Sequence, residues 1–280
     1  MTATSFPEYL TVSRDELAKE TPVRLQVVGN MEDVAQHMAE NMLTAILSAK
    51  EQGRELTMIA PVGPVDQFPI LADMINRRRI DCQDTVIINM DEYLTDEDKW
   101  IDLEHPLSFR GYMNRKFYDL LEENLAPRPD YRVFPDPRDI DAIPRLIDQR
   151  GGVDVTYGGI GINGHLAFNE PEDGTDVDDF AGRPTRVLDL TPHTRTINAN
   201  TVGGEISVIP HRAATVGMKE ILSSRQLHFY CNRLWQSAVV RRALHGPISA
   251  SCPASLLRIH ENATLTIADY VADPPDIRLR

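Results

Sequence analysis

Three short stretches of this chain gather the residue types that move protons. Asp91 and Glu92 follow directly on an apolar, β-branched run at residues 84–89. Residues 158–171 form a glycine-rich segment crowded with polar side chains, among them Asn163, His165, Asn169 and Glu170. Residues 60–67 make a Gly/Pro turn after another strand-like run. A carboxylate at the end of a strand serves as a general base when burial raises its pKa. A nearby histidine moves a proton at neutral pH. Such groups, brought together, are the parts needed to open a sugar ring and carry a proton between adjacent carbons. Taken alone, Asp91 reads equally well as a solvated turn acid or a helix N-cap, and its pairing with the Asn/His/Glu turn tips it toward chemistry. Gly159, Gly161 and Gly164 also satisfy a formal GxGxxG pattern. A dinucleotide site needs a helix opening on those glycines. Here Pro171 follows too soon for a normal helix, so the segment reads as a polar catalytic loop.

The elements that must position these stretches alternate along the chain. Strands are expected at residues 23–28, 57–62, 84–89, 131–134, 153–160, 186–190, 227–231 and 263–268. Helices are expected at 68–78, 108–123, 140–149 and 234–245, and before Gly53, where Val34, Ala35, Met38, Ala39, Met42, Leu43, Ile46 and Leu47 repeat at helical spacing. This order predicts an α/β fold of three layers, a mostly parallel Rossmann-like sheet with helices on both faces. Residues 1–22 read as a polar lead-in and 23–280 as a single domain, because no Pro/Gly/Ser linker divides them. In open sheets of this kind ligands bind outside the carboxyl ends of the strands, which is where all three stretches fall.

The segments Asn89-Met90-Asp91-Glu92-Tyr93, His105-Pro106-Leu107-Ser108-Phe109-Arg110 and Gly159 through Pro171 resemble the signature segments of the glucosamine-6-phosphate deaminases (isomerases). Thr194-Arg195 and Thr215-Val216-Gly217 resemble later landmarks of that family, and the likeness runs from about residue 23 to 270. The related 6-phosphogluconolactonases share the Gly-x-Gly-x-x-Gly-His start, but Ala167-Phe168-Asn169-Glu170-Pro171 favours the deaminase branch. The resemblance implies that Asp91 is the base shuttling a proton between C2 and C1, that His165 assists ring opening, and that Glu170 supports that histidine. It places Asn163 on the family's ring-opening Asp/Asn position. Asn cannot carry a proton charge, so more of the acid–base work falls on His165 and Glu170. Gly161 and Gly164 let the backbone approach the sugar, and Glu92 is a further candidate for binding it.

The departures from the family pattern concentrate on holding a phosphate. The loop after the second strand reads Ala60-Pro61-Val62-Gly63-Pro64-Val65-Asp66-Gln67, with valines where hydroxyl residues are expected and prolines that have no N–H to donate. Asp66 would repel each negative charge of a dianion by about 4 kcal/mol at about 4 Å and an effective dielectric near 20. The family's phosphate-binding Lys aligns with Gln236 and its phosphate-binding Arg with Asn200, while Arg233 lies close enough to substitute for the former. Gly63, Asp66, Gln67, Asn200, Arg233 and Gln236 are therefore expected to meet a sugar whose far end is hydroxyl-rich and not a simple phosphate. The expected activity is that of an amino-sugar deaminase or aldose–ketose isomerase. The alternatives are a catalytically weak sugar-binding regulator on the same fold, or a sugar lactonase.

Composition narrows the remaining choices. Acids outnumber bases 42 to 29, a net charge of −13 that disfavours nucleic acid and anionic membranes as partners. No signal-peptide pattern or membrane-length apolar run is seen, and three widely spaced cysteines show no metal or CxxC spacing. These features point to a cytoplasmic protein without a metal site; the family resemblance implies a small sugar as partner, possible self-assembly as a homo-oligomer, and no cofactor. Arg77-Arg78-Arg79 and Arg241-Arg242 read as solvated helix faces or subunit contacts. Residues 95–105 are either a lid or an ordinary surface loop.

Overall fold

The computed structural model describes residues 6–63 and 66–276. Its first long helix shows how local sequence becomes structure. Asn30 accepts a hydrogen bond from the Asp33 amide while the Asp33 carboxylate accepts one from the Asn30 amide, so a reciprocal cap starts α1 (Met31–Glu51). Its buried stripe is Val34, Ala35, Met38, Ala39, Met42, Leu43, Ile46 and Ala49, the expected face with Ala49 in place of the half-exposed Leu47. Gly53, at φ 65°, takes the chain out of the helix.

The strands are β1 (Arg24–Val28), β2 (Leu56–Ala60), β3 (Thr85–Asn89), β4 (Asp91–Leu94), β5 (Arg132–Val133), β6 (Val155–Gly159), β7 (Arg186–Asp189), β8 (Arg212–Thr215), β9 (Gln226–Cys231) and β10 (Ala263–Ala268). Seven of them form one sheet in the order β1-β10-β9-β6-β2-β3-β5. All of its pairings are parallel. Every residue of β2, β3 and β10 is buried, as a sheet covered on both faces requires. The covering helices include α1, α2 (Gln67–Arg78), α3 (Phe109–Lys116), α4 (Ala142–Arg150) and, late in the chain, α8 (Gln236–His245). The short helices α5 (Val177–Ala181), α6 (Pro192–Asn198) and α7 (Met218–Leu222) complete the fold. The α/β three-layer arrangement expected from the alternation of elements is the one present.

Sequence periodicity did not reveal a second sheet. Strands β4, β8 and β7 form a three-stranded antiparallel sheet in that order. Residues 91–94 begin with two acids, which local propensity places in a loop. They are strand because each faces a partner in β8, with Asp91 opposite Thr215 and Glu92 opposite Ala214. The helix expected to run to residue 123 stops at Lys116. Phe117 leaves helical geometry at φ −140°, and its ring packs 5.2 Å from that of Phe68 in the core. Arg241 also departs from the reading of a solvated basic run. It is fully buried, and its guanidinium donates to the carbonyls of Val12, Ser237, Val271 and Ala272. It thereby joins the lead-in and the turn at residues 269–272 to α8, and Leu17 of the lead-in is itself buried. Arg77, Arg78 and Arg79 are exposed as expected.

The three cysteines are buried and unpaired. Among the described residues no cluster of metal-ligating side chains is present, and no helix is long and apolar enough to cross a membrane.

Candidate active site

The second sheet delivers the acid. Asp91 opens β4 immediately beyond the carboxyl end of β3, and its cross-strand neighbour Thr215 donates its hydroxyl to Asp91 Oδ1 at 2.5 Å. The Phe168 amide donates to the same oxygen at 3.1 Å. The other carboxylate oxygen takes no hydrogen bond from the described residues, and Asp91 keeps partial exposure. Burial pushes the carboxyl up to about 7; the Thr215 hydroxyl and the Phe168 amide hold it down from a higher value, and the charge of Glu92 adds to the rise. A carboxylate titrating near neutrality, with one oxygen clamped and one open, is arranged as a base. Replacing Thr215 with Val removes a donor that favours the charged form. The acid limb of the activity–pH profile should then move upward by about one unit, since a hydrogen bond to a charged group contributes about 1.5–3 kcal/mol. An unmoved limb in T215V would show that the clamp does not tune the base.

The loop after β6 delivers the histidine. Phe168 ties this loop to Asp91 through its amide, and its ring meets the His165 ring edge-on at 6.2 Å. The acid and the imidazole thus belong to one contiguous assembly. The backbone amide of His165 donates to Asn163 Oδ1 at 3.2 Å, and Asn163 Nδ2 donates to Glu170 Oε2 at 2.9 Å. A backbone N–H on one side and a carboxylate on the other leave the Asn163 amide only one orientation that satisfies both. His165 Nδ1, 2.8 Å from the same Asn163 oxygen, must therefore carry the proton, and Nε2 presents its lone pair. Burial lowers the His165 pKa, opposed by the charge of Glu170, so the neutral ring is favoured. Glu170 stands 3.8 Å from His165 Nδ1 and acts on it mainly through Asn163. Its other oxygen accepts the Thr191 amide at 3.1 Å, and the Thr194 hydroxyl lies 3.1 Å from His165 Nδ1.

Two glycines are needed here for steric reasons. A Cβ on Gly161 would stand 2.1 Å from the His165 ring, so the imidazole lies where a side chain would be. Gly164 sits at φ 95° against the Cys252 sulfur. Ala167 takes φ 53°, a strained turn that aims the next amide at Asp91.

The binding residues expected from sequence divide. Glu92 does not face the open side. It is fully buried and accepts from the Ser108 hydroxyl, from the Tyr93, Phe109 and Arg110 amides, and from Arg110 Nε. It anchors the start of α3, so it supports the site from behind. Gln236 is likewise occupied: its Nε2 donates to the Ile160 carbonyl at 2.8 Å and its Oε1 accepts the Arg233 amide at 2.8 Å. Asn200 and Arg233 are exposed, and Arg233 Nη1 turns to the Met31 sulfur at 3.2 Å. Gly63 is exposed, Gln67 is buried with Nε2 donating to the Val62 carbonyl, and Gln67 Oε1 is buried without a partner. Asp66 is exposed at φ 86°, so solvent screens it and its repulsion of an anion falls below the sequence-based figure. Pro64 and Val65 lie outside the described residues.

Thr215, Phe168, Thr191 and Thr194 are the contributors that residue-type reasoning passed over as functional groups. Thr194 and Thr215 stood out only as landmarks, since a lone threonine far along the chain carries no spacing signal. Residues 95–105 are fastened at Trp100, whose Nε1 donates to the Pro135 carbonyl at 2.8 Å while the Arg110 guanidinium stacks over its ring at 4.4 Å.

No family model matches the chain. Over 211 residues it is 31% identical to a glucosamine-6-phosphate deaminase of Streptomyces avermitilis, covering 75% of this chain and 77% of that protein. Over 251 residues it is 29% identical to a glucosamine-6-phosphate deaminase of Caenorhabditis elegans, covering 88% and 90%. A solved monomeric glucosamine-6-phosphate deaminase superposes with a TM-score of 0.75 at 27% identity, covering 89% of this chain and 99% of the other. A 6-phosphogluconolactonase from Shewanella baltica, at 16% identity and a TM-score of 0.61 over 88% of this chain and 97% of its own, shares the fold.

Proposed function

This chain belongs to the glucosamine-6-phosphate deaminase family, and from that premise we propose that it deaminates and isomerises an amino sugar whose far end is not a simple phosphate. The observation that carries the chemistry is the Asp91 carboxylate, clamped on one oxygen by Thr215 and Phe168 in the same assembly as His165. In the proposed sequence His165 Nε2 takes the proton of the C1 hydroxyl and returns one to the ring oxygen, which opens the ring to an aldehyde. Glu170, acting through Asn163, stabilises the imidazolium between these transfers. Asp91 then takes the C2 proton while the aldehyde oxygen receives one from the substrate ammonium, giving an enaminol. Asp91 delivers its proton to C1, leaving an iminium at C2. Water adds there and ammonium departs, so one water is consumed and one ketose formed.

The choice of substrate end rests on what the candidate anchors offer. Gln236 is neutral and both ends of its amide are engaged, Asn200 is neutral and exposed, and the 60–67 loop supplies no hydroxyl side chain. Arg233 is turned toward Met31. An uncharged, hydroxyl-bearing end asks for no cation, and Asp66 would accept from it. A panel of free and 6-phosphorylated amino sugars, followed by ammonia release, tests this. The free sugar should show the higher kcat/KM, by about tenfold or more. Turnover of glucosamine 6-phosphate at about 10⁴ M⁻¹s⁻¹ or better, a rate typical of a dedicated enzyme, would defeat the proposed specificity while leaving the proton-transfer roles standing.

A further inference from the structure

At the amino ends of the central strands, at the opposite end of the sheet from Asp91, a polar hollow of about 220 Å³ is lined by Arg54, Glu55, Thr57, Arg150, Gly152, Asp154 and Arg225. These residues come together because Arg54 and Glu55 lead into β2, Asp154 into β6 and Arg225 into β9, and Arg150 ends α4. The three arginines face two carboxylates, a local excess of positive charge in a chain of net charge −13.

Each guanidinium is ion-paired, Arg54 Nε also donates to Gln52 Oε1 and Arg225 Nη2 to the Gly151 carbonyl, and one positive charge of the three remains in excess. Arg54 Nη1 and Arg225 Nη1 converge on a single oxygen, Asp154 Oδ1, at 2.6 and 2.7 Å. Asp154 Oδ2 is taken by the Thr57 amide at 2.9 Å. Arg150 Nη1 pairs with Glu55 at 2.5 Å, but Arg150 Nη2 is buried and has no partner among the described residues. A buried donor left without an acceptor is costly, more so on a charged group. Holding three guanidinium groups around one hollow also sets like charges against one another. Planar guanidinium forks match the oxygens of a phosphate bidentately. The hollow, at about 220 Å³, has room for a phosphate group with space to spare.

We propose that this hollow is a second ligand site, one for a phosphate or the phosphate group of a small monoester, held by Arg54, Arg150 and Arg225. Five-residue strands at about 3.3 Å per residue put it about 15 Å or more from the catalytic loops, so it is separate from the sugar site and does not rest on the reading of that site. Bound there, the anion bridges the entries to β2, β6 and β9.

Calorimetric titration of inorganic phosphate into the full chain at constant ionic strength tests the proposal. Saturable binding is expected, weakened about tenfold by Arg225→Gln and by Arg150→Gln. The Arg225 side chain is 62% exposed and that of Arg150 only 13%, so if Arg150→Gln disturbs folding the Arg225 variant decides alone. Absence of saturable binding overturns the proposal. So does binding of unchanged affinity in Arg225→Gln, which would put the phosphate elsewhere.

Discussion

Asp91→Asn is expected to lower kcat by about 10³-fold or more, with KM for the amino sugar changed only a few-fold and the fold intact. The size follows from the proposed role: a positioned acid–base group contributes about 10²–10⁴-fold, and in the proposed sequence one carboxylate serves both the C2 and the C1 transfer. The preserved fold follows from the geometry. Asparagine keeps an oxygen that accepts from the Thr215 hydroxyl and the Phe168 amide, the two bonds that hold Asp91 in place. What it loses is the open oxygen able to take a proton.

Stability supplies a second readout with a definite sign. The folded-state carboxyl, at about 7, lies above the ordinary value of 3.8, so the native state binds more protons than the unfolded chain between those values. That contribution to stability is fully present below about pH 3.8 and is lost as pH rises through about 7. The Asn variant lacks this dependence, so it should gain on the wild type as pH rises from 4 to 8. Ammonia release from D91N within about tenfold of wild type would remove Asp91 from the base role. Equal pH–stability curves would remove the raised carboxyl.

Glu92→Ala is expected to destabilise the protein by about 3–5 kcal/mol, the scale for breaking a buried charge pair from one side. Glu92 is fully buried and paired with Arg110 Nε at 3.0 Å, where it also accepts the Phe109 and Arg110 amides at the first turn of α3. Removing the carboxylate strands a guanidinium and those amides together. Arg110 also donates to the Ile101 carbonyl at 2.5 Å and stacks on Trp100. The loss should therefore reach residues 95–105, seen as earlier proteolysis there. Denaturant unfolding of E92A measures the total, and a loss under about 1 kcal/mol would mean that Glu92 is not the anchor described. Asp91 and Glu92 are adjacent carboxylates with opposite duties: one strand turns alternate side chains to opposite faces, so one reaches the open site and its neighbour the core.

Neighbouring residues show where legibility ended. Asp91, Asn163, His165 and Glu170 could be picked out because carboxylate, amide and imidazole at strand ends are chemically marked, and α1 because its apolar residues repeat at helical spacing. Glu92 and Gln236 carry the same kind of mark, yet the structure gives them supporting contacts. Residue type tells what a group can do. It does not tell which way the group faces once the chain has folded.

Local pattern by itself determined the alternation of strands and helices, the parallel sheet that follows from it, and the strand ends at which the candidate site lies. These depend on periodicity and turn residues within short windows. Only the tertiary structure decided that residues 91–94 are strand, that Thr215 clamps Asp91 across 124 positions of sequence, and that Asn163 fixes the tautomer of His165. Each of these is a pairing between separate parts of the chain or a hydrogen bond of set direction, and neither exists until the backbone has brought both partners into contact.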